Sequence, residues 1–531
     1  MSTTPGSPAA NSWPEKASPA EIYRSLPELG PLFVTWWPEP DAARRWVAVA
    51  AGGVGLLAAL LIPGAPRPGI NLVICGLAVA LPVWMLAYAR GRAKSRRWPV
   101  GRVQVALATV ALGLTTVAAV RASEWLAWSC VGAALCLGAA AALDVRRWVG
   151  VLITVPLFGI AVLRALPWAG RAVRFVGYRG VSRPWLRGIG IGVTCTIVVA
   201  ALLASADAAF GDLVSDLLSV FQPVVELDML PARALTFLAV AGIVLGGLFA
   251  VSTQFAPGTA LTKSTAAKPV ARHPAEWLTP LVLVAVTIAA FLAVEATMLF
   301  GGAEVVVESE TVSHAERAHQ GFGQLTVVTL IVLVLLAWSG RAAAAGPPAH
   351  RWLMGFGGGT VLVLALLLGT SALRRLWLYQ DVYGWTVTRL NAGAFEIWIA
   401  TVLVGVAVGW VLRRPDLLPR FLIGSAALGL LAMGLAGPDA LVAAANVERF
   451  EHTKSIDTDY LSRLSADAVP ALNRLPEPLR SCALAGQSIA NDPWFGWNFA
   501  RSRADRLLRS QPTAESVRDG DRELYRIVAS C

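Results

Sequence analysis

The sequence predicts an all-α, polytopic helical membrane protein with about eleven transmembrane helices (ten to twelve) and a small helical C-terminal tail domain. Of its 531 residues, 56% are hydrophobic and only 15% are charged, against about 25% charged residues in soluble domains. The mean hydropathy is +0.60. Apolar runs of about 20 residues, the length that crosses the ~30 Å hydrocarbon core of a bilayer, recur along most of the chain.

Eleven of these runs are predicted to be membrane spans. They lie at about 46–63, 70–89, 103–120, 125–143, 188–206, 232–251, 277–300, 325–339, 353–373, 395–412 and 420–440. The segment before them, 1–44, is rich in Pro and Ser and has no basic stretch followed by a short apolar core. It is therefore predicted to be disordered and not a cleaved signal peptide, so the first span would act as the insertion signal.

The charges of the links between spans predict their orientation. Segments 90–102 and 164–187 each contain six Lys or Arg residues and no acid. Segment 207–230 contains five acids and no base, and segment 301–324 contains four Glu residues and one Arg. Because short links rich in Lys and Arg stay cytoplasmic, the basic links and the N-terminus are predicted inside and the acidic links outside. Nucleic acid is not expected as a partner, since the positive charge is spread over short links.

One further apolar run, 148–166, conflicts with this orientation, since a full span there would place the second Arg-rich segment outside. Pro156 interrupts the run and Arg164 lies near its end. We therefore predict a re-entrant or interfacial hairpin, which leaves the tail outside. The chain then divides into the disordered N-terminal segment, an N-terminal membrane region, a membrane core and the tail, at 1–44, 45–187, 188–440 and 441–531.

The tail contains the two cysteines that lie outside the apolar runs, Cys482 and Cys531. In an oxidising compartment these two residues could form a disulfide. The alternative is two unrelated thiols.

The stretch "TVSHAERAHQGF", residues 311–322, has some of the residue types of a metal site. On a helix, His314 and His319 would be separated by about 140°. A zinc-protease helix needs histidines four residues apart with a glutamate directly after the first, whereas Glu316 follows His314 by two. We therefore predict no metal and no cofactor in this stretch, and expect a solvated helix end at the membrane surface.

The stretch 371–398 is basic although it is predicted on the outer side. Two interpretations are open: an interfacial re-entry helix whose arginines extend toward water, or an anion-binding surface that faces a headgroup or a carboxylate. Tyr379 and Tyr383 are four residues apart and share a helix face, as tyrosines at a lipid interface often do. The charged residues of this stretch are Arg374, Arg375, Asp381, Arg389 and Glu396.

Glu295 is an ionisable residue inside a predicted span. Such a residue costs roughly 2.5–3.5 kcal/mol to insert, so it normally faces a partner or water. We expect it to pair with an arginine of the 374–389 stretch. A proton or ion relay is the second interpretation, because no matching carboxylate is predicted deep in another span. The "GFGGG" sequence at 355–359 is expected to allow close helix packing through Gly355 and Gly359.

Motifs of familiar enzyme classes are absent. The sequence contains no phosphate-binding loop, nucleophile elbow, kinase motif set or Cys/His cluster with zinc spacing. The sequence thus offers no catalytic residue, and a non-enzymatic protein is favoured.

Several stretches together resemble a family of bacterial polytopic membrane proteins, grouped as domain of unknown function 4173 and overlapping the group numbered 4153. They are "LLASADAAF" (202–210), "MLFGG" (298–302), "SHAERAHQGF" (313–322), "LWLYQDVYGWTVTRL" (376–390), "GPDALVAAANVERF" (437–450), "DTDYLSRLSADAVPAL" (457–472) and "WNFARSRADRLL" (497–508). The resemblance covers roughly 190–510. The spans before it carry no recognisable motif.

The resemblance identifies matching residues in this chain but implies no activity, since that family is uncharacterised. His314, Arg317 and His319 depart from its pattern, as does Glu295, where the family tends to have glutamine. These departures argue against a metal site shared by the family. The matching residues are Asp207, Glu316, Tyr379, Asp381, Tyr383, Gly384, Arg389, Asn446 and Arg449.

Two functional interpretations follow. The first is a non-enzymatic sensor, regulator or assembly protein that binds an envelope component or a membrane partner protein through an extracytoplasmic polar surface. The second is a transporter or lipid-handling enzyme with a substrate site between the 374–389 stretch and Glu316. The candidate polar cluster contains Asp207, Glu295, Glu316, Arg374, Arg375, Tyr379, Asp381, Tyr383, Arg389 and Glu396.

Overall fold

The computed structural model describes most of the membrane region and most of the tail. The residues described are 40, 43–65, 67–93, 100–143, 154–172, 229–253, 273–300, 314–412, 414, 417–487 and 492–510. Within them, the side chains of 171–172, 297–300, 314–326 and 381–382 are not described. All regular elements of this described part are helices.

The membrane region contains eleven described helices. In chain order they are α1 (Arg45–Leu61), α2 (Ile70–Ala93), α3 (Arg102–Val120), α4 (Glu124–Ala142), α5 (Thr154–Ala172), α6 (Leu230–Thr253), α7 (Pro274–Phe300), α8 (His314–Ala344), α9 (Pro348–Tyr383), α10 (Val387–Val411) and α11 (Leu418–Ala436). Within the described part of the chain, nine of them are long and apolar enough to cross a membrane, whereas the apolar stretches of α1 and α5 are shorter. The protein is therefore a multi-pass membrane protein. The predicted span 188–206 lies outside the described residues, so the count of eleven spans stays a prediction.

Three groups of buried apolar side chains hold these helices together. The first joins α1, α4, α5 and α6 around Leu248 and Phe249. The second joins α7, α8, α9 and α10 around Trp277 and Leu403. The third packs α3 and α4 against α11 around Leu126.

The tail packs on one end of the bundle, which we call the tail end. It consists of α12 (Pro438–Thr453), α13 (Thr458–Ser462), α14 (Val469–Leu472), α15 (Leu479–Leu484) and α16 (Phe499–Ser510), with short 3₁₀ turns at Ala466–Ala468 and Trp494–Gly496. It begins directly after Gly437, whose φ of 73° ends α11. Its apolar core includes Val442, Leu461, Leu472 and Leu508. In α16 the buried residues Ala500, Ala504 and Leu508 are four apart and Arg501 lies beside the first, which gives the helix one inward face.

Three links between membrane helices lie at the tail end, because each is hydrogen-bonded to the tail. They follow α1, α3 and α9. Since α2, α8 and α10 end at the other side of the bundle, their following links lie at the opposite end. Described basic residues around those links are Arg90, Arg92, Arg341, Arg351 and Arg414.

The stretch 371–398 is not a separate interfacial helix, which corrects the first of its two interpretations. It forms the last turns of α9 and the first turns of α10, joined by the three residues 384–386. Gly384 makes this short reversal feasible, because its φ of 84° is disfavoured for residues with a side chain. α10 consequently begins at Val387 and not near 395.

The run 148–166 is represented by α5, which packs beside α6. Val162 lies against Gly246, and the rings of Trp168 and Phe249 are 5.7 Å apart. The two helices therefore run in the same direction, toward the opposite end, where α4 also ends. This direction is compatible with the predicted hairpin, although the preceding residues 144–153 lie outside the described part.

Candidate functional site

A column of polar side chains follows one face of α9 at the tail end. Ser371, Arg375, Tyr379 and Tyr383 are spaced by four residues, so they lie one above the other on a continuous helix. The column exists only because α9 continues past the predicted end of its span at 373. We call this feature the α9 column.

Glu295 of α7 closes the deep end of the column. It is 7% exposed, and its Oε1 accepts hydrogen bonds from Ser371 Oγ and from Arg375 Nε, the latter at 2.6 Å. The Arg375 guanidinium also lies 5.8 Å from the centre of the Phe291 ring. The expected pairing of Glu295 with an arginine of this stretch is confirmed. Among the described residues, the buried Oε2 of Glu295 has no hydrogen-bond partner.

Arg389 of α10 covers the outer part of the column. Its guanidinium lies 4.4 Å from the centre of the Tyr379 ring, and its Nη1 donates to the Gly384 carbonyl at 2.7 Å. The Tyr379 and Tyr383 rings are 4.5 Å apart, which confirms that they share a face. Thr386 caps α10 by accepting a hydrogen bond from the Arg389 backbone amide.

The predicted anion-binding surface is therefore only partly assembled. Arg375 and Arg389 are engaged with a carboxylate, a carbonyl and aromatic rings. Arg374 is exposed and lies about 100° around α9 from Arg375, so it is not part of the column. Tyr383, 53% exposed, forms its accessible end.

The tail holds the turn between α9 and α10 by its backbone. Asn446 of α12 accepts from the Trp385 amide at 3.1 Å and donates to the Trp385 carbonyl at 2.8 Å. The Val387 amide donates to the hydroxyl of Tyr460 at 2.8 Å. A Cβ on Gly384 would lie 2.8 Å from the Asn446 side-chain oxygen. The turn and α12 therefore fit each other only with glycine at this position.

A second tail contact involves the link between α3 and α4. Asp467 accepts from the Ala122 amide at 2.7 Å and pairs with Arg121 at 3.4 Å. Burial raises the pKa of the Asp467 carboxyl, although these two contacts act in the opposite direction. Arg121 also donates from Nε to the Gly434 carbonyl at 2.7 Å.

A third tail contact is centred on Arg501, which is 4% exposed. It pairs with Asp492 at 2.6 Å and donates to the Pro68 carbonyl in the link between α1 and α2. Asn498 donates to the Ala118 and Arg121 carbonyls at the end of α3. The guanidinium thus binds a backbone carbonyl of the α1–α2 link, and the amide binds carbonyls at the C-terminal end of α3, where a helix leaves its last carbonyls unpaired.

These tail residues were not predicted as site residues. The sequence shows them as ordinary polar residues of a neutral tail, and only the fold places Asp467, Asn498 and Arg501 against membrane links 345 to 433 residues away. The resemblance did identify Asn446, Gly384 and Arg389, which lie together where the α9–α10 turn meets α12.

Other predicted residues are not brought together by the described structure. Asp207 lies outside the described residues. Glu316, His314 and His319 lie in the first turns of α8, and Asp381 lies in the last turn of α9, but their side chains are not described. Among the described residues there is no cluster of metal-ligating side chains.

Glu396 is placed differently from the expectation that it belongs to an outer link. It lies nine residues inside α10 and is 4% exposed. The premise that no second carboxylate lies deep in a span is therefore wrong.

Cys482 is disulfide-bonded. Its predicted partner, Cys531, lies outside the described residues, so the pairing stays a prediction. Cys75, Cys130 and Cys136 are free.

The glycines of "GFGGG" pack differently from the expectation. A Cβ on Gly355 or Gly359 would meet no atom within 4 Å, whereas one on Gly357 would approach Leu278 and one on Gly358 would approach Trp410. The expected contact through Gly355 and Gly359 is therefore wrong, and the intervening pair makes the close approach.

Two of the depressions on the described part of the chain can be compared with the column. One, of about 380 Å³, is an apolar hollow on α8 between Val327 and Trp338. The other, of about 240 Å³, lies on the tail and includes Trp494, Arg501 and Arg509. Neither is lined by Glu295 or Arg375.

A protein-family model described as "Domain of unknown function (DUF4153)" matches residues 106–475, which is more than half of the chain. The match includes the α9 column and the first tail helices, and it begins well before residue 190, where the recognised resemblance starts. No curated protein and no solved structure matches the chain.

Proposed function

The chain belongs to the DUF4153 family, whose function is unknown, and we propose that it is a non-enzymatic protein of the bacterial cytoplasmic membrane. In this proposal it acts as a sensor, regulator or assembly protein. It binds an envelope component or a membrane partner protein through the polar surface at the tail end. Its N-terminus is cytoplasmic and its tail is extracytoplasmic, and the chain also falls within the overlapping group numbered 4173.

One observation carries this proposal: the accessible end of the α9 column opens beside a tail that is fixed to the bundle. Asn446, Asp467 and Arg501 each bind a different link through hydrogen bonds to its backbone. A rigid base of this kind positions a binding surface precisely enough for recognition without chemistry. The exposed ring of Tyr383 is a residue type that favours protein and ligand contacts, and Arg389, stacked on Tyr379, supports the column beside it.

The orientation is supported by the charge of the links. The basic segments 90–102 and 164–187, and the arginines around the α8–α9 and α10–α11 links, follow helices that end away from the tail. Since Lys and Arg accumulate in cytoplasmic links, we place the tail end outside.

The competing proposal is a transporter or lipid-handling enzyme with a substrate between the 374–389 stretch and Glu316. It requires arginines that are free to bind substrate. Arg375 and Arg389 are instead occupied by Glu295, Gly384 and Tyr379. This occupancy favours the binding proposal.

The test is site-specific photocrosslinking in intact cells. A crosslinking amino acid replaces Tyr383 at the tail end, and the matched control replaces Trp352, which is 84% exposed near the other end of the same helix. We expect a discrete adduct with one envelope component or membrane protein from position 383, absent from position 352 and reduced by Arg389→Ala. Equal adducts at both positions, or solute flux or lipid turnover by the purified chain in liposomes that Arg375→Ala abolishes, would contradict the proposal.

A further inference from the structure

Glu396 is a buried acid that the proposed function does not use. It lies about 14 Å along α10 from Val387, and its exposed fraction is 4%. Its neighbours in sequence are Phe395, Ile397 and Trp398. Glu396 therefore lies in an apolar stretch of a membrane-spanning helix.

The carboxyl group of Glu396 rests directly on α9. A Cβ added to Gly369 would lie 2.8 Å from Glu396 Oε1, so the oxygen occupies the space that a side chain at this position would fill. Gly369 and Ser371 are about 200° apart around α9. Glu396 and Glu295 therefore contact opposite faces of α9, at nearly the same height.

The two acids differ in their partners. Glu295 accepts hydrogen bonds from Ser371 and Arg375. Among the described residues, Glu396 has neither a hydrogen bond nor an ion pair. On the helices packed against it, the described spans of α8 (327–340) and α11 (421–436) contain no titratable residue. The charged side chains described on the nearby turns of α9, α10 and α12 are exposed or bound elsewhere: Arg374 is exposed, Arg375 binds Glu295, Arg389 binds Gly384, and Asp439 accepts from Ser465.

A buried carboxylate without a partner is strongly disfavoured, and such a group becomes neutral instead. We propose that Glu396 is a proton-binding site, in which the carboxyl group carries a proton at neutral pH and this neutral form allows α9 and α10 to pack. Loss of the proton to water leaves a carboxylate against Gly369 and changes no other bond. The inference goes beyond the proposed function, because it holds whether or not the α9 column binds a partner.

Loss of the proton from Glu396 would weaken the contact between the tail and the α9–α10 turn. The helices that Glu396 joins are the two arms of the hairpin whose turn, 384–386, is bound by Asn446 and Tyr460. A carboxylate at Glu396 would separate the arms and loosen this clamp. The tail contact is thus the element that responds to the proton.

The first measurement is infrared difference spectroscopy of the full chain in lipid nanodiscs near neutral pH. We expect a carbonyl stretch of a protonated carboxylic acid that Glu396→Gln removes and Glu396→Asp shifts. The matched control is Glu448→Gln, an exposed acid on α12, which should leave the band unchanged. Absence of the band in the unmodified protein, or its persistence in Glu396→Gln, would overturn the proposal.

The second measurement is thermal unfolding as a function of pH, which keeps the proposal testable if the band overlaps others. Glutamine is a neutral isostere of the protonated acid, so Glu396→Gln should fold and melt like the unmodified protein near neutral pH. At alkaline pH the unmodified protein should melt earlier than the variant. Failure of the variant to fold, or a lower melting temperature already at neutral pH, would show that the charged form is needed.

Discussion

The pairing of Glu295 with Arg375 shows how a single charge is accommodated in the membrane region. Glu295 is almost fully buried, but the Arg375 side chain is 52% exposed. The carboxylate is thus neutralised by a guanidinium that remains partly outside the packed core. The sequence predicted the pair, because an acid inside a span requires a cation within reach. It could not predict which arginine forms the pair, since that depends on which face of α9 is turned toward Glu295.

Removal of Arg375 should leave the buried charge of Glu295 without an ion-pair partner. We expect Arg375→Ala to lower the free energy of unfolding by about 2 kcal/mol, the scale of a hydrogen bond to a charged group, and Glu295→Gln to restore most of this loss in the double variant. The measurement is reversible unfolding in mixed detergent micelles. The neighbouring Arg374→Ala is the control and should change stability by less than about 0.5 kcal/mol. Equal effects of the two arginine variants would refute the pairing as a source of stability.

Gly384 is the second residue whose role can be isolated. With φ at 84° and Asn446 close by, a methyl group there strains the backbone and displaces the amide. We expect Gly384→Ala to destabilise the protein by about 1–3 kcal/mol. Gly359→Ala is the control, because it lies in a helix beside open space and should be neutral or stabilise by up to about 1 kcal/mol. Melting temperatures of the two variants should shift in opposite directions or differ clearly in size.

At the scale of elements, apolar runs predicted the existence of helices better than their ends. Membrane helices α3, α4 and α11 end within a few residues of the predicted positions, and their C-caps are Arg121, Leu143 and Gly437. The ends of α9 and α10 were missed because hydropathy counts Arg374, Arg375 and Arg389 against a span. Those helices continue through the polar residues, because Arg375 binds Glu295, Arg389 binds the Gly384 carbonyl and Arg374 is exposed.

The contact between the tail and the membrane region depends on α16 and its buried arginine. Arg501→Ala removes an ion pair to Asp492 and hydrogen bonds to the Pro68 and Gly496 carbonyls. Breaking a buried pair on one side costs about 3–5 kcal/mol. We expect the tail to detach locally while the membrane helices stay folded.

Limited proteolysis in nanodiscs measures this detachment. Cleavage within the tail should become at least tenfold faster in Arg501→Ala, because 1.4 kcal/mol already corresponds to a factor of ten. Arg503→Ala, an exposed neighbour on the same helix, is the matched control. Unchanged protection in Arg501→Ala would mean that the other two tail contacts suffice.

For the whole molecule, composition was enough to assign a multi-pass helical membrane protein. Few other protein classes combine so few charged residues with so many long apolar runs. The site was less predictable. The α9 column required the continuous helix to Tyr383, and the buried position of Glu396 required its contact with Gly369. Both depend on packing between helices that are adjacent in space, which a single sequence does not reveal. The tail contacts likewise join residues several hundred positions apart.

The side of the membrane on which the tail lies can be tested through its disulfide. Cys482 is disulfide-bonded, while Cys75 and Cys130 are buried in the bundle. If the tail is extracytoplasmic, a membrane-impermeant maleimide should label intact cells strongly only after mild reduction. In Cys482→Ser the freed partner should be labelled without reductant, and Cys482→Ser with Cys531→Ser should abolish labelling if Cys531 is that partner. Labelling that requires broken cells would place the tail in the cytoplasm. The polar surface would then face the other compartment, and the search for an envelope ligand would end, because the tail and the α9 column lie at the same end of the bundle.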